Sequence, residues 1–288
     1  ALHHLNEKYP EWVGESCANY EQVETAIHHL REKIGNDLVI RSEYGLAGQG
    51  MIRYFEPELK VSSKNWCTQM LATEKLMVEP WLKRVADCSC LIEIRDGKIK
   101  RVGVTRMLTS FQGQYLGTLT GKPGTLFPEE VTEILYDKSG GNKGALEMLW
   151  QFAEFAGEKY MQKGYNGPLC VDAFFYRLHN EIRLRPCVEI NARFSMGRLA
   201  LELTKKVMMG KVGLFLLSGK KDLLRTNFKN FNELITSLQN KYPLEMNNGE
   251  SPLWTNGLVA ITDPEVSKIM TAIFYVGDNL EQCHKIFN

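Results

Sequence analysis

The chain has 288 residues, 44% of them hydrophobic and 24% charged, a make-up that allows an ordinary globular protein with two packed cores. Thirty-five Lys and Arg offset 34 Asp and Glu, for a formal charge of +1, and the basic residues are scattered, so there is no electrostatic footprint for nucleic acid. No apolar run approaches the roughly eighteen residues that cross a bilayer, so a membrane is not expected as a partner either.

The chain opens on Ala1-Leu2-His3-His4-Leu5, with no initiator Met, signal pattern or tag, and reads as one entered midway. Residues 21–33 carry helical spacing (Val23, Ile27, Leu30, Ile34) and stop at Gly35-Asn36. A short buried strand over 37–41 runs into a glycine loop, 42–50, and resumes over 51–55. Another strand, 75–79, is expected to stop at Pro80. Strands 91–94 and 99–104 flank Asp96-Gly97, a hairpin signal. The stretch 113–128, rich in Gly, Thr and Pro, predicts a strand and then an exposed loop. A long helix over 142–163 ends at Gly164. Strands 169–177 and 182–190 turn at His179-Asn180, and a helix follows over 198–209. The tail predicts a helix at 231–239, a strand at 258–261, a helix after Pro264 and a strand at 272–276. Hairpins dominate, which points to an α+β protein with mainly antiparallel sheets.

Seven cysteines lack any CxxC pair. Cys88 and Cys90 share a strand face but have no further ligand for a metal, so reduced, buried thiols in a cytoplasmic protein are expected.

Three constellations carry chemistry. The first is the glycine loop with Gly45, Gly48 and Gly50, whose backbone N–H groups can approach phosphate oxygens closely. Its spacing fits neither a Walker A loop nor a dinucleotide fingerprint. Arg41 precedes it as a cation suited to phosphate, or to a surface ion pair. The second is Met77-Val78-Glu79-Pro80-Trp81-Leu82, where a strand meets a Pro and leaves backbone polar groups beside apolar side chains. An adenine ring needs that combination, and Asp87 could accept from ribose; an interdomain hinge packed by Trp81 is the alternative. The third is Asp172 on one strand with Glu189 and Asn191 on the return strand. A turn centred on 179–180 sets Asp172 opposite Cys187 and projects all three from one face. Two carboxylates and an amide oxygen are hard ligands appropriate to Mg²⁺.

Val171-Asp172 followed by Val188-Glu189-Ile190-Asn191-Ala192-Arg193 resembles the signature of ATP-grasp carboxylate–amine ligases, and the order of elements over about 20–220 is similar to that superfamily. The resemblance implies an ATP-grasp fold of two α+β lobes with the nucleotide between them. The N-terminal lobe would be 1–82, with the glycine loop. The C-terminal lobe would be 83–288, with the metal site and a C-terminal α/β extension. The cofactors implied are ATP and Mg²⁺. Arg41 would touch the α- and β-phosphates, and Gly48, Gln49, Gly50 and Met51 would close over the triphosphate. Glu79 and the backbone of Pro80, Trp81 and Leu82 would read adenine, and Asp87 the ribose. Asp172, Glu189 and Asn191 would hold Mg²⁺, with Glu189 and Arg193 catalytic. Ser195-Met196-Gly197-Arg198 could bind an anionic group at a helix N-terminus or simply cap it.

Two features depart from the family: Arg41 stands where Lys is usual, and no earlier N-terminal domain is evident. The implied reaction activates a small-molecule carboxylate as an acylphosphate and joins it to an amine. A nucleotide-binding protein with a decayed site and a small-molecule phosphotransferase remain the alternatives. The sequence names no particular substrates and no oligomeric state.

Overall fold

The computed structural model describes residues 12–34, 37–42, 50–54, 59–110, 114–136 and 144–284. The expected stop at 35–36, most of the glycine loop including Gly45, Gly48 and Gln49, and the start of the helix expected over 142–163 lie outside the described residues. The described residues form two compact units, one up to Lys83 and one from Arg84 onward, with Gln114 grouping with the first. None of their helices is long and apolar enough to cross a membrane.

The first unit contains β1 (Glu15–Cys17), α1 (Tyr20–Ile34), β2 (Leu38–Ser42), β3 (Met51–Tyr54), α2 (Val61–Leu71) and β4 (Leu76–Pro80). Its sheet runs β1-β4-β2-β3 and is antiparallel throughout. Alternation gives this sheet two faces. Leu38 and Ile40 of β2 and Leu76 and Val78 of β4 join Val23, Ile27 and Leu30 of α1 and Cys67 of α2 in one core. The opposite face carries Val39, Arg41, Met77 and Glu79. Pro80 does not stop β4 as expected: it pairs with Leu38, beyond the reach of β1, where its missing N–H costs no ladder bond. The unforeseen α2 (VSSKNWCTQML) has almost no apolar stripe, and Cys67 is its only fully buried residue.

The second unit is built on a nine-stranded sheet in the order β11-β12-β13-β10-β7-β6-β5-β8-β9. Its first strands are β5 (Lys83–Arg95), which starts at the last residue of the first unit, β6 (Lys98–Thr109) and β7 (Tyr115–Thr120). Asp96 and Gly97 both take positive φ, 52° and 69°, as a tight hairpin turn requires. After a 3₁₀ turn at Pro123–Thr125 come α3 (Glu129–Leu135), α4 (Ala145–Gln162), β8 (Gly167–Leu178), β9 (Glu181–Asn191) and α5 (Met196–Thr204). The chain then forms β10 (Val212–Gly219), α6 (Lys220–Leu223), α7 (Phe231–Lys241), β11 (Glu245–Met246), β12 (Trp254–Ala260), β13 (Met270–Gly277) and α8 (Leu280–His284). The helix expected after Pro264 is absent; turns occupy 261–269. Asp263 explains them, since its side chain accepts from Glu265 N and its carbonyl from Ser267 Oγ, bonds that compete with helix propagation.

One face of this sheet is the main core. Cys88, Cys90 and Ile92 of β5 and Leu169, Val171 and Phe175 of β8 pack there with Leu149 and Ala153 of α4. On the other face α5 packs over β6, β7 and β10, where Ala200 meets Phe215 and Phe274. The C-terminal strands are part of this sheet, because β13 pairs with β10 along its full length.

Candidate nucleotide and metal site

In the second unit the site begins with parity. On β8 the core takes Leu169, Val171, Ala173 and Phe175, so Asp172 emerges on the opposite face. The two-residue turn at His179-Asn180, with His179 at φ 53°, sets Leu178 against Glu181. A regular ladder would then bring Asp172 to Cys187, as expected from sequence. Instead a bulge intervenes: Ala173 is spanned by Pro186, Cys187 and Val188, and Asp172 faces Glu189 directly. The shift is two residues, an even number, so Glu189 and Asn191 keep the face they would have had. Pro186, with no N–H to donate, sits within the bulge, where the ladder is already interrupted.

Asp172 is the centre of a hydrogen-bonded chain. Its Oδ1 accepts from Ser89 Oγ at 2.6 Å and from Cys170 Sγ at 3.3 Å. Its Oδ2 accepts from Asn191 Nδ2 at 3.0 Å, and Asn191 Oδ1 accepts from Arg193 Nη2 at 2.9 Å. Burial pushes the Asp172 carboxyl above the usual range, while the Ser89 and Cys170 bonds and the Arg193 charge pull it back.

The oxygen set fits a hard cation: Asp172 and Glu189 are register partners, and Asn191 shares their face two residues on. In the present geometry the Asn191 amide turns its nitrogen toward Asp172; half a turn offers its oxygen instead, at the cost of the bond that oxygen accepts from Arg193. Among the described residues no group of three or more His, Cys, Asp and Glu side chains is arranged to hold a metal, so any cation site here rests on two carboxylates and an amide.

Asp87 emerges on the same side of β5 as Ser89, and both are buried, at 7% and 2% exposure. Its Oδ1 pairs with Arg84 Nη1 at 2.8 Å and its Oδ2 accepts from Thr109 Oγ1 at 3.0 Å. Each oxygen of this expected ribose acceptor thus already holds a protein donor. Arg84 in turn stacks over Phe174 at 4.4 Å. Ser195 accepts from Arg198 N at 3.2 Å and caps α5. Arg198 is ion-paired to Glu93 and Glu202, so the capping role is the one the geometry displays.

In the first unit Arg41 and Glu79 lie on one face of the small sheet and pair, Nε to Oε2, at 2.5 Å. Met51 is the register partner of Arg41, and Ser42 N donates to Gly50 O at 3.0 Å, which closes the base of the glycine loop. Gly50 takes φ 78°. Trp81 N donates to Asp37 O at 2.7 Å, and Arg53 lies 3.9 Å over the Trp81 ring. Pro80 and Leu82 are buried.

Sequence reasoning missed Ser89, Arg53, Arg84 and Thr109. The period-two pattern Asp87-x-Ser89, out of step with Cys88 and Cys90, was the available signal for the first.

The fold these units define is the ATP-grasp fold, α+β with antiparallel sheets. Solved structures similar to this chain include the N5-carboxyaminoimidazole synthetase of Staphylococcus aureus complexed with ADP, at TM-score 0.57 and 10% identity, covering 99% of this chain and 68% of that one. The biotin carboxylase domain of Hydrogenobacter thermophilus 2-oxoglutarate carboxylase, in complex with MgADP, ADP and bicarbonate, matches at 0.58 and 9%, over 99% and 62%. The Campylobacter jejuni biotin carboxylase in its β-γ-ATP complex matches at 0.54 and 10%, over 96% and 61%. No family model matches the chain, and no curated protein matches it in sequence.

Proposed function

We propose that this chain binds ATP with Mg²⁺ and serves an ATP-dependent, ADP-forming ligase that activates a carboxylate as an acylphosphate and joins it to an amine. The observation that carries the reading is the alignment of Asp172 with Glu189 and Asn191 on the face of the β8–β9 hairpin opposite the main core, with Arg193 bonded to the amide. The solved structures of the same fold that hold ADP, β-γ-ATP, or MgADP with bicarbonate support it.

In this reading Asp172, Glu189 and Asn191 hold Mg²⁺, which when bound supplies charge neutralisation at the phosphates. Arg41 contacts the α- and β-phosphates, and Gly48, Gln49, Gly50 and Met51 cover the triphosphate. Glu79 and the backbone of Pro80, Trp81 and Leu82 take the adenine edge, and Asp87 the ribose. Arg193 meets the transferring phosphoryl group and the acylphosphate. No Ser or Cys nucleophile is needed, because the work is positioning and electrostatics. Seven free thiols, six of them buried, support a cytoplasmic protein.

The test is ADP release from ATP and Mg²⁺ with a panel of carboxylates, bicarbonate included, and amines. Glu189→Gln is expected to lower Mg²⁺-dependent turnover ~10²-fold or more. Unchanged turnover and unchanged Mg²⁺ dependence in that variant would rule the reading out.

A further inference from the structure

The two oxygens of Asp172 are held differently. Among the described residues Oδ2 has one partner, the Asn191 amide at 3.0 Å. That partner can be withdrawn: half a turn about its last bond removes the nitrogen and brings up the oxygen, which then gives up the bond it accepts from Arg193. Oδ1 is fixed by the Ser89 hydroxyl at 2.6 Å, with the weaker Cys170 thiol at 3.3 Å beside it. Ser89 cannot easily move. It is 2% exposed, in the middle of an interior strand, between Cys88 and Cys90, which are rooted in the main core.

On the reading of Asp172 as a cation ligand, we infer that Ser89 is its positioning residue. It anchors Oδ1 from the neighbouring strand so that the carboxylate plane is fixed and Oδ2 is presented toward Glu189 and Asn191. The Ser89 bond is compatible with cation binding, whereas the Asn191 bond must be given up. Outer-shell hydrogen bonds of this kind orient metal ligands, and their loss typically costs about 10–100-fold in metal affinity. Because Ser89 is buried, removing its hydroxyl leaves Oδ1 without its short donor.

The experiment uses Mn²⁺ as the probe, with free Mn²⁺ counted by EPR in the presence of a non-hydrolysable ATP analogue, and separately the affinity for that analogue without metal. Ser89→Ala is expected to raise the Mn²⁺ Kd about 10-fold or more, with metal-free nucleotide affinity within twofold of wild type. Ser89→Cys, close in shape but a poor donor, is expected to weaken Mn²⁺ in the same direction and carries the test should the alanine variant not fold. Asp172→Asn separates the two levels of the argument. If it loses Mn²⁺ while both folded Ser89 variants bind within twofold of wild type, the positioning role is wrong. If Asp172→Asn itself binds Mn²⁺ normally, the metal reading falls and takes the inference with it.

Discussion

A single backbone position can constrain a contact as firmly as any side chain. Gly257 in β12 holds φ at 97°, and a Cβ built there would lie 2.0 Å from the carbonyl oxygen of Pro243 and 2.5 Å from its carbon. Neither atom can swing aside, since both belong to the main chain, and the next residue, Leu258, donates its N–H to Tyr242 O at 3.0 Å. Gly257 therefore fixes how the end of α7 meets the sheet. Gly257→Ala combines a positive φ with a backbone clash and is expected to cost more than ~2 kcal/mol. Thermal unfolding should show this as a Tm lower by about 5 °C or more; a Tm within a degree of wild type would contradict the geometry.

At the scale of elements, the β8–β9 hairpin shows what periodicity reveals and what it hides. Asp172, Glu189 and Asn191 were legible as one face because side-chain parity survives any even shift of register. The bulge was not legible: Pro186 hints at an interruption, but nothing in Pro186, Cys187 and Val188 dictates that all three stand opposite one residue. The same contrast holds elsewhere. Strongly apolar β10 and the Asp96-Gly97 turn announce themselves, whereas α2, with a single fully buried residue and no side-chain cap, takes its helical state from packing on the first sheet. Hydrogen bonds between strands far apart in sequence, such as Ser89 to Asp172, leave no local trace at all.

The hairpin also supplies a test. Deleting Cys187 alone makes the shift odd and turns Glu189 and Asn191 toward the core; Mn²⁺ binding should be lost and stability should fall. Deleting Cys187 and Val188 together restores a regular ladder of unchanged parity, with Glu189 still facing Asp172, and Mn²⁺ binding should persist. Equal binding in the two deletions, measured by the same EPR titration, would show that parity does not govern the site.

Over the whole molecule, all seven cysteines are free and only Cys187 escapes full burial. Burial raises the Cys17 and Cys67 thiols to about 11 and Cys283 to about 12, and it pushes Cys88, Cys90 and Cys170 upward as well. The reactive thiolate is therefore scarce at neutral pH, and five of these six groups lie within the cores of the two units, Cys170 sitting beside Asp172. Alkylation of the native protein at pH 7.5, followed by intact mass, should give at most one rapid adduct, at Cys187, and all seven only in denaturant. Two or more rapid adducts would mean that one of the cores opens readily.

Among the described residues β9 is the last strand of its sheet, so one side of its backbone has no neighbour there in the ladder. Such a border can recruit a strand from another molecule and seed association. The bulge, with a proline inside it, breaks that border into two short pieces, 181–185 and 189–191. The irregularity beside the carboxylates thus also interrupts the regular border, and a hairpin regularised by the double deletion is expected to keep its ligands while gaining a tendency to aggregate.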